Sequence, residues 1–187
     1  KVGKSIFALL LCVLVATGKA LANRFETLTG RALYISEEDG ERIIIQRGQR
    51  IAAGLGVSLD PDRFRVVVKQ GFQLDKPECI TWLRGYLQAW PADLVVLDVL
   101  SRLHSQDANK ANEMRPLLAD LDAVRTACGC TLLVVAHLRK PQPGMQQERS
   151  GSGISGTVAL HGWSESGIYL AKDEKEQCVR VSFEQKE

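Results

Sequence analysis

The chain has little of what would tie it to one environment. Its 24 basic and 22 acidic side chains leave a formal charge of +2. So slight a bias demands no nucleic acid or membrane surface, although basic residues can still gather in one loop. Its five cysteines are an odd number, and Cys12, Cys79, Cys128, Cys130 and Cys178 show neither a disulfide framework nor paired C-x-x-C metal hooks. Thiols of this kind suit a reducing compartment, so the cytoplasm is the expected location. The apolar run from Ile6 to Ala16 is too short to cross a bilayer, and no membrane partner is expected. Internal repeats are absent, which excludes a solenoid.

What is present begins with KVGKSIFALLLCVLVATGKALANR, which has two incompatible readings. A basic start, an apolar run and Ala20-Leu21-Ala22 are the parts of a secretory signal. Gly3-Lys4-Ser5 is equally the tail of a phosphate loop, G-x-x-x-x-G-K-[ST], followed by a buried helix from Lys4 to about Asn23. The rest of the chain decides between them. Arg31 to Ser36, Phe64 to Val68, Asp93 to Asp98 and Thr131 to Ala136 are apolar strand-like runs. Helical patterns separate them, over Gly40 to Ala53, Lys76 to Ala89 and the Met114, Leu117, Leu118, Leu121, Val124 series. Strands alternating with helices predict an α/β fold with a mostly parallel sheet, and two short strands near the C-terminus predict an antiparallel edge hairpin.

In such sheets ligands bind beyond the carboxyl ends of the strands. That is where this sequence puts its polar residues: Glu37 and Glu38 after one strand, Asp98 after another, His137 after a third. A cleaved signal would have no reason to precede this pattern, so the phosphate loop is the preferred reading. In it, backbone N–H groups wrap the phosphates, Lys4 neutralises them and the Ser5 hydroxyl reaches a magnesium ion. Asp98 ends its apolar strand as a Walker B carboxylate does. One of Glu37 and Glu38 can orient an attacking water, and the other reads as an acidic first turn favouring the dipole of the next helix. His137 is a γ-phosphate sensor or a strand-end histidine bonded to backbone. The loop from Arg139 to Ser155 carries no aromatic residue for stacking. Trp82, Trp90 and Trp163 read as core or subunit-contact residues.

The order GKS, YISEEDG, LVVLDVLSRLHSQDANKANEM, LLVVAHLRKP and RSGSGISGTVALHGWSESGIYL resembles the RecA-like ATPases of the RepA type, relatives of the DnaB-type replicative helicases and similar to an AAA domain. The resemblance implies a RecA-like P-loop NTPase core, with residues 1–187 as one ATPase domain whose first strand and start of the phosphate loop lie upstream. It implies ATP and Mg2+ as ligands, with Gly3, Lys4, Ser5 and Ile6 binding nucleotide and Ser5 and Asp98 serving the metal. Glu38 aligns with the family's catalytic glutamate, and His137 with its sensor histidine. Arg139 or Arg149 would reach a neighbouring subunit's γ phosphate, with Arg149 favoured. Arg139, Lys140 and Arg149 would follow single-stranded DNA in the channel of a hexameric homo-oligomer, and replication proteins are further expected partners. The implied function is a ring-forming DNA helicase. The alternative is a regulatory or scaffolding ATPase whose nucleotide state switches assembly with a protein partner.

Overall fold

The computed structural model describes residues 2–137, 158–173 and 176–186. Strands β1 (Ala32–Ser36), β2 (Phe64–Val68), β3 (Leu94–Asp98) and β4 (Thr131–Val135) form one sheet in the order β2-β1-β3-β4. All neighbours are parallel, and Ser36 stands opposite both Val68 and Asp98, with Asp98 opposite Val135. The strand carboxyl ends therefore form one level rim.

Helices α1 (Lys4–Thr17) and α2 (Glu41–Gly54) lie on one face, and α3 (Pro77–Ala89) and α4 (Ala111–Cys128) on the other. The period-two alternation of a strand sorts the side chains between them. Ala32, Tyr34, Leu94 and Val96 pack with Ala8, Leu9 and Cys12 of α1 and Ile44 of α2. Leu33, Ile35, Val95 and Leu97 pack with Leu83 and Leu87 of α3 and Met114 and Leu121 of α4. Both β1 and β3 are buried along their whole length, which is why their sequences are apolar throughout rather than alternating. Each buried aliphatic side chain contributes about 1.5–3 kcal/mol, so these two strands dominate the core.

Helix α1 is shorter than the sequence suggests, ending at Thr17 rather than near Asn23. Gly18 adopts a left-handed φ of 69° and donates its N–H to the Leu14 carbonyl at 2.7 Å, an arrangement that favours glycine. A side chain there would also collide with Thr29. The chain then returns along the amino-end rim, where the Gly30 N–H donates to the Val15 carbonyl.

A short helix α5 (Val158–Trp163) and a 3-10 turn over Leu100–Arg102 were not legible as periodic segments. The expected hairpin exists as β5 (Ser166–Asp173) and β6 (Cys178–Gln185), longer than its apolar centres and forming a two-stranded sheet of its own. Of the tryptophans, Trp90 is buried beneath the Arg65 guanidinium, 4.5 Å from its ring, whereas Trp82 is exposed and packs edge-on to Phe72. The five cysteines are free. Burial pushes the Cys12 thiol up and the Cys130 thiol up to about 11. No described helix is long and apolar enough to cross a membrane.

Candidate active site

Gly3 holds a left-handed φ of 87° immediately before α1, turning the chain so that the first helical residue, Lys4, arrives at the carboxyl rim. The first turn carries no acidic residue and no side-chain cap. Its free backbone N–H groups and the positive end of the helix dipole therefore face the rim, a disposition suited to an anion.

Lys4 Nζ lies 2.9 Å from His137 Nδ1. An ammonium can only donate, so His137 Nδ1 accepts and the ring proton resides on Nε2. Half-burial of Lys4 pulls its pKa below the ordinary lysine value, and the nearby carboxylates of Asp98 and Glu38 pull it back up. Lys4, Asp98 and Glu38 thus form one electrostatic cluster, with His137 bonded to its lysine. Ile6, two residues after Lys4 in α1, is exposed.

Asp98 is buried at the end of β3. Its carboxylate accepts a hydrogen bond from the hydroxyl of Tyr34 on the neighbouring strand. Burial raises its pKa, hydrogen bonds from Tyr34 and Ser5 lower it, and the negative charges of Glu38 and Asp39 raise it further. The other oxygen, Oδ1, is buried with no hydrogen-bond partner among the described residues. A buried acceptor left unpaired is costly, and a metal-bound water would satisfy it. The donor set of one hydroxyl, Ser5, and one carboxylate, Asp98, consists of oxygen ligands and fits a hard cation of magnesium type. No described group of three or more His, Cys, Asp or Glu residues could hold a metal by itself.

The two glutamates separate cleanly. Glu37 accepts the backbone N–H groups of Gln70, Gly71 and Phe72 at 3.0, 3.2 and 2.9 Å, in the turn after β2. Glu38 is exposed, and its carboxylate has no hydrogen bond among the described residues. Neither supplies the acidic first turn expected for α2: that helix starts at Glu41 behind Gly40, and Glu41 fills the role. Asp39 pairs instead with Arg47 of α2.

The structure therefore gathers Gly3, Lys4, Ser5, Glu38, Asp98 and His137 at one rim. Arg139, Lys140 and Arg149 lie outside the described residues. Tyr34 is the site residue that the sequence reading missed. Its signal was a hydroxyl inside a fully buried apolar strand, which needs a partner, and the register sets Tyr34 opposite Val96, next but one to Asp98.

Comparison with known proteins speaks to the fold and the family. The fold is similar to that of a KaiC-like protein from the hyperthermophilic archaeon Pyrococcus horikoshii OT3, with a TM-score of 0.59 and 15% identity, covering 98% of this chain and 74% of that one. At that identity the likeness speaks for the fold. The family model described as an AAA domain matches residues 1–143. With a glycine-led helix start, a buried strand-end aspartate and a parallel sheet between flanking helices, the chain belongs to the AAA-domain family and is a RecA-like P-loop ATPase domain.

Proposed function

We propose that the chain is the ATP-hydrolysing core of a ring-forming motor acting on single-stranded DNA, as the RepA-type resemblance implies. The observation that carries the hydrolytic part is Glu38, a carboxylate with no hydrogen bond among the described residues yet close enough to Lys4 and Asp98 to act on both charges. A general base needs that availability.

Gly3, Lys4, Ser5 and Ile6 hold the nucleotide, with the first-turn N–H groups and Lys4 against its phosphates. Ser5 and Asp98 hold Mg2+, which supplies charge neutralisation on the phosphoryl oxygens. Glu38 orients a water and accepts its proton as the water oxygen bonds to the γ phosphorus and the bond to the bridging oxygen breaks. Lys4 stabilises the charge that develops on the departing diphosphate. His137, released from Lys4 when that ammonium turns to phosphate, reports occupancy to the segment that follows it. Arg149 completes a neighbouring subunit's site, and Arg139 and Lys140 follow a nucleic-acid backbone. The domain reading of residues 1–187, continued upstream by one strand, belongs to this same proposal.

The test is ATP turnover by the protein with its complete phosphate loop, with and without single-stranded DNA. Lys4→Ala should lower turnover by on the order of 10²–10³-fold, and Glu38→Gln should abolish turnover, its DNA-stimulated part included. Mixing Lys4→Ala with Arg149→Ala subunits should restore some activity. Slow turnover indifferent to DNA would replace the motor with a regulatory ATPase whose nucleotide state governs assembly.

A further inference from the structure

The glutamate beside the proposed base is tied to a different part of the molecule. Glu37 and Glu38 lie in the bend that follows β1, and their carboxylates have different surroundings. Glu37 Oε1 receives the N–H groups of Gln70 and Phe72, and its Oε2 that of Gly71. Three consecutive amides converge on one carboxylate because Lys69 and Gly71 both have left-handed backbones, with φ of 52° and 73°, which makes the turn concave toward an anion. A lysine is disfavoured in that conformation, and the three charge-assisted bonds offset this.

The same turn continues into the loop behind Asp98. The Leu74 N–H donates to the Leu103 carbonyl at 2.6 Å, and Gln73 Nε2 donates to the Arg102 carbonyl at 3.0 Å. Asp75 accepts the Ser105 N–H and Gln106 Nε2, each at 3.2 Å. Hydrogen bonds at both ends of the segment 70–75 therefore tie the residue before Glu38, through that segment's backbone, to the segment after Asp98. On the other side of Glu38, Asp39 is held by Arg47. Among the described residues, the hydrogen bond of Glu38 is a long one from its N–H to Ser36 Oγ, at 3.3 Å.

We infer that Glu37 is a positioning residue: by binding the 70–72 turn it fixes the backbone of Glu38 relative to Asp98, leaving the Glu38 carboxylate free for chemistry. This rests on the reading of Glu38 as the base.

The experiment compares Glu37→Ala, Glu37→Gln and Glu38→Gln in the protein with its complete phosphate loop. Three quantities are read: steady-state ATP turnover, affinity for a fluorescent ATP analogue, and deuterium exchange at the amides of residues 70–72. Glu37→Ala should lower kcat about tenfold, since misplacement of a catalytic group by a fraction of an ångström to 1 Å is felt at that scale. Its affinity for the analogue should stay within about twofold, and the turn amides should exchange faster. Glu37→Gln keeps an oxygen for Gln70 and Phe72 and loses the Gly71 bond, so kcat should fall only about two- to threefold. It carries the test if the alanine variant does not fold. Glu38→Gln should abolish turnover without deprotecting the turn. Turnover of Glu37→Ala within twofold of wild type, with the turn deprotected, would overturn the inference. So would a Glu37→Gln variant as inactive as Glu38→Gln, which would make Glu37 the base. A wild-type protein that binds the analogue and does not hydrolyse ATP would end the hydrolase reading, and this inference with it.

Discussion

The parallel sheet and the C-terminal hairpin both carry apolar strand residues and bury them to different extents. In β3 every side chain from Leu94 to Asp98 is buried, whereas in β6 only Val181 and Glu184 are even partly covered, and Phe183 is 62% exposed. The hairpin does have an apolar face, with Ile168 opposite Phe183 and Leu170 opposite Val181, but no described helix covers it as α1 to α4 cover the sheet. An apolar strand therefore becomes a core strand only when both faces have a partner. The chemistry follows the same division. A buried sheet can hold a carboxylate such as Asp98 in a fixed, partly desolvated position at its rim, and an exposed ribbon cannot.

This contrast can be broken by substitution. Leu97→Ala removes a fully buried side chain from the larger core cluster and should lower unfolding free energy by about 2–5 kcal/mol. Phe183→Ala, despite deleting a larger group, should change it by less than about 0.5 kcal/mol. Urea unfolding of both variants measures the difference, and equal losses would mean that the hairpin face is covered in solution.

Tyr34→Phe comes next in size. It leaves an oxygen of Asp98 buried without its donor, at a cost of about 1–3 kcal/mol, and should weaken the Mg2+ dependence of nucleotide binding. A phenylalanine variant as stable as wild type would show that water replaces the hydroxyl.

The smallest effect has the opposite sign. Burial raises the Asp98 pKa above its ordinary value of 3.8, so the native state holds that proton more tightly than the unfolded chain. The resulting stabilisation is complete below the ordinary value and is lost as pH rises through the native pKa. Lys4, lowered by burial from 10.5, behaves conversely: its contribution is present above the ordinary value and lost as pH falls through the native one. Wherever these groups are ionised, their burial makes that charge a cost to folding. Asp98→Asn should therefore raise Tm by about 2–4 °C near neutrality while abolishing hydrolysis, and the gain should shrink in acid. Thermal scans across that range decide it.

Much of the sheet was legible because a doubly covered strand writes itself as an unbroken apolar run, and LVVLD and TLLVV did so. The rim residues were legible because polar side chains directly after such runs have few other places to be. The separate duties of Glu37 and Glu38 were not legible. They depend on a turn at 70–72 that is remote in sequence and whose shape comes from left-handed backbone at Lys69 and Gly71. The Tyr34 contact likewise needs the register of β1 against β3, which no local pattern encodes. The end of α1 was missed because Gly18, the residue that stops it, is followed by Lys19, Ala20 and Leu21, all good helix formers.

The common register of the four strands also constrains how this protein can vary in length. Removing one residue from β1, β3 or β4 would pull a rim side chain back by about 3.3 Å and swap the inward and outward faces of that strand. Insertions and deletions are thus barred from the strands. They remain open at the opposite rim, in the connection from Gly18 to Arg31, where Leu28 is 93% exposed. A tag or a fused domain placed there would lengthen the chain without shifting any strand against its neighbour.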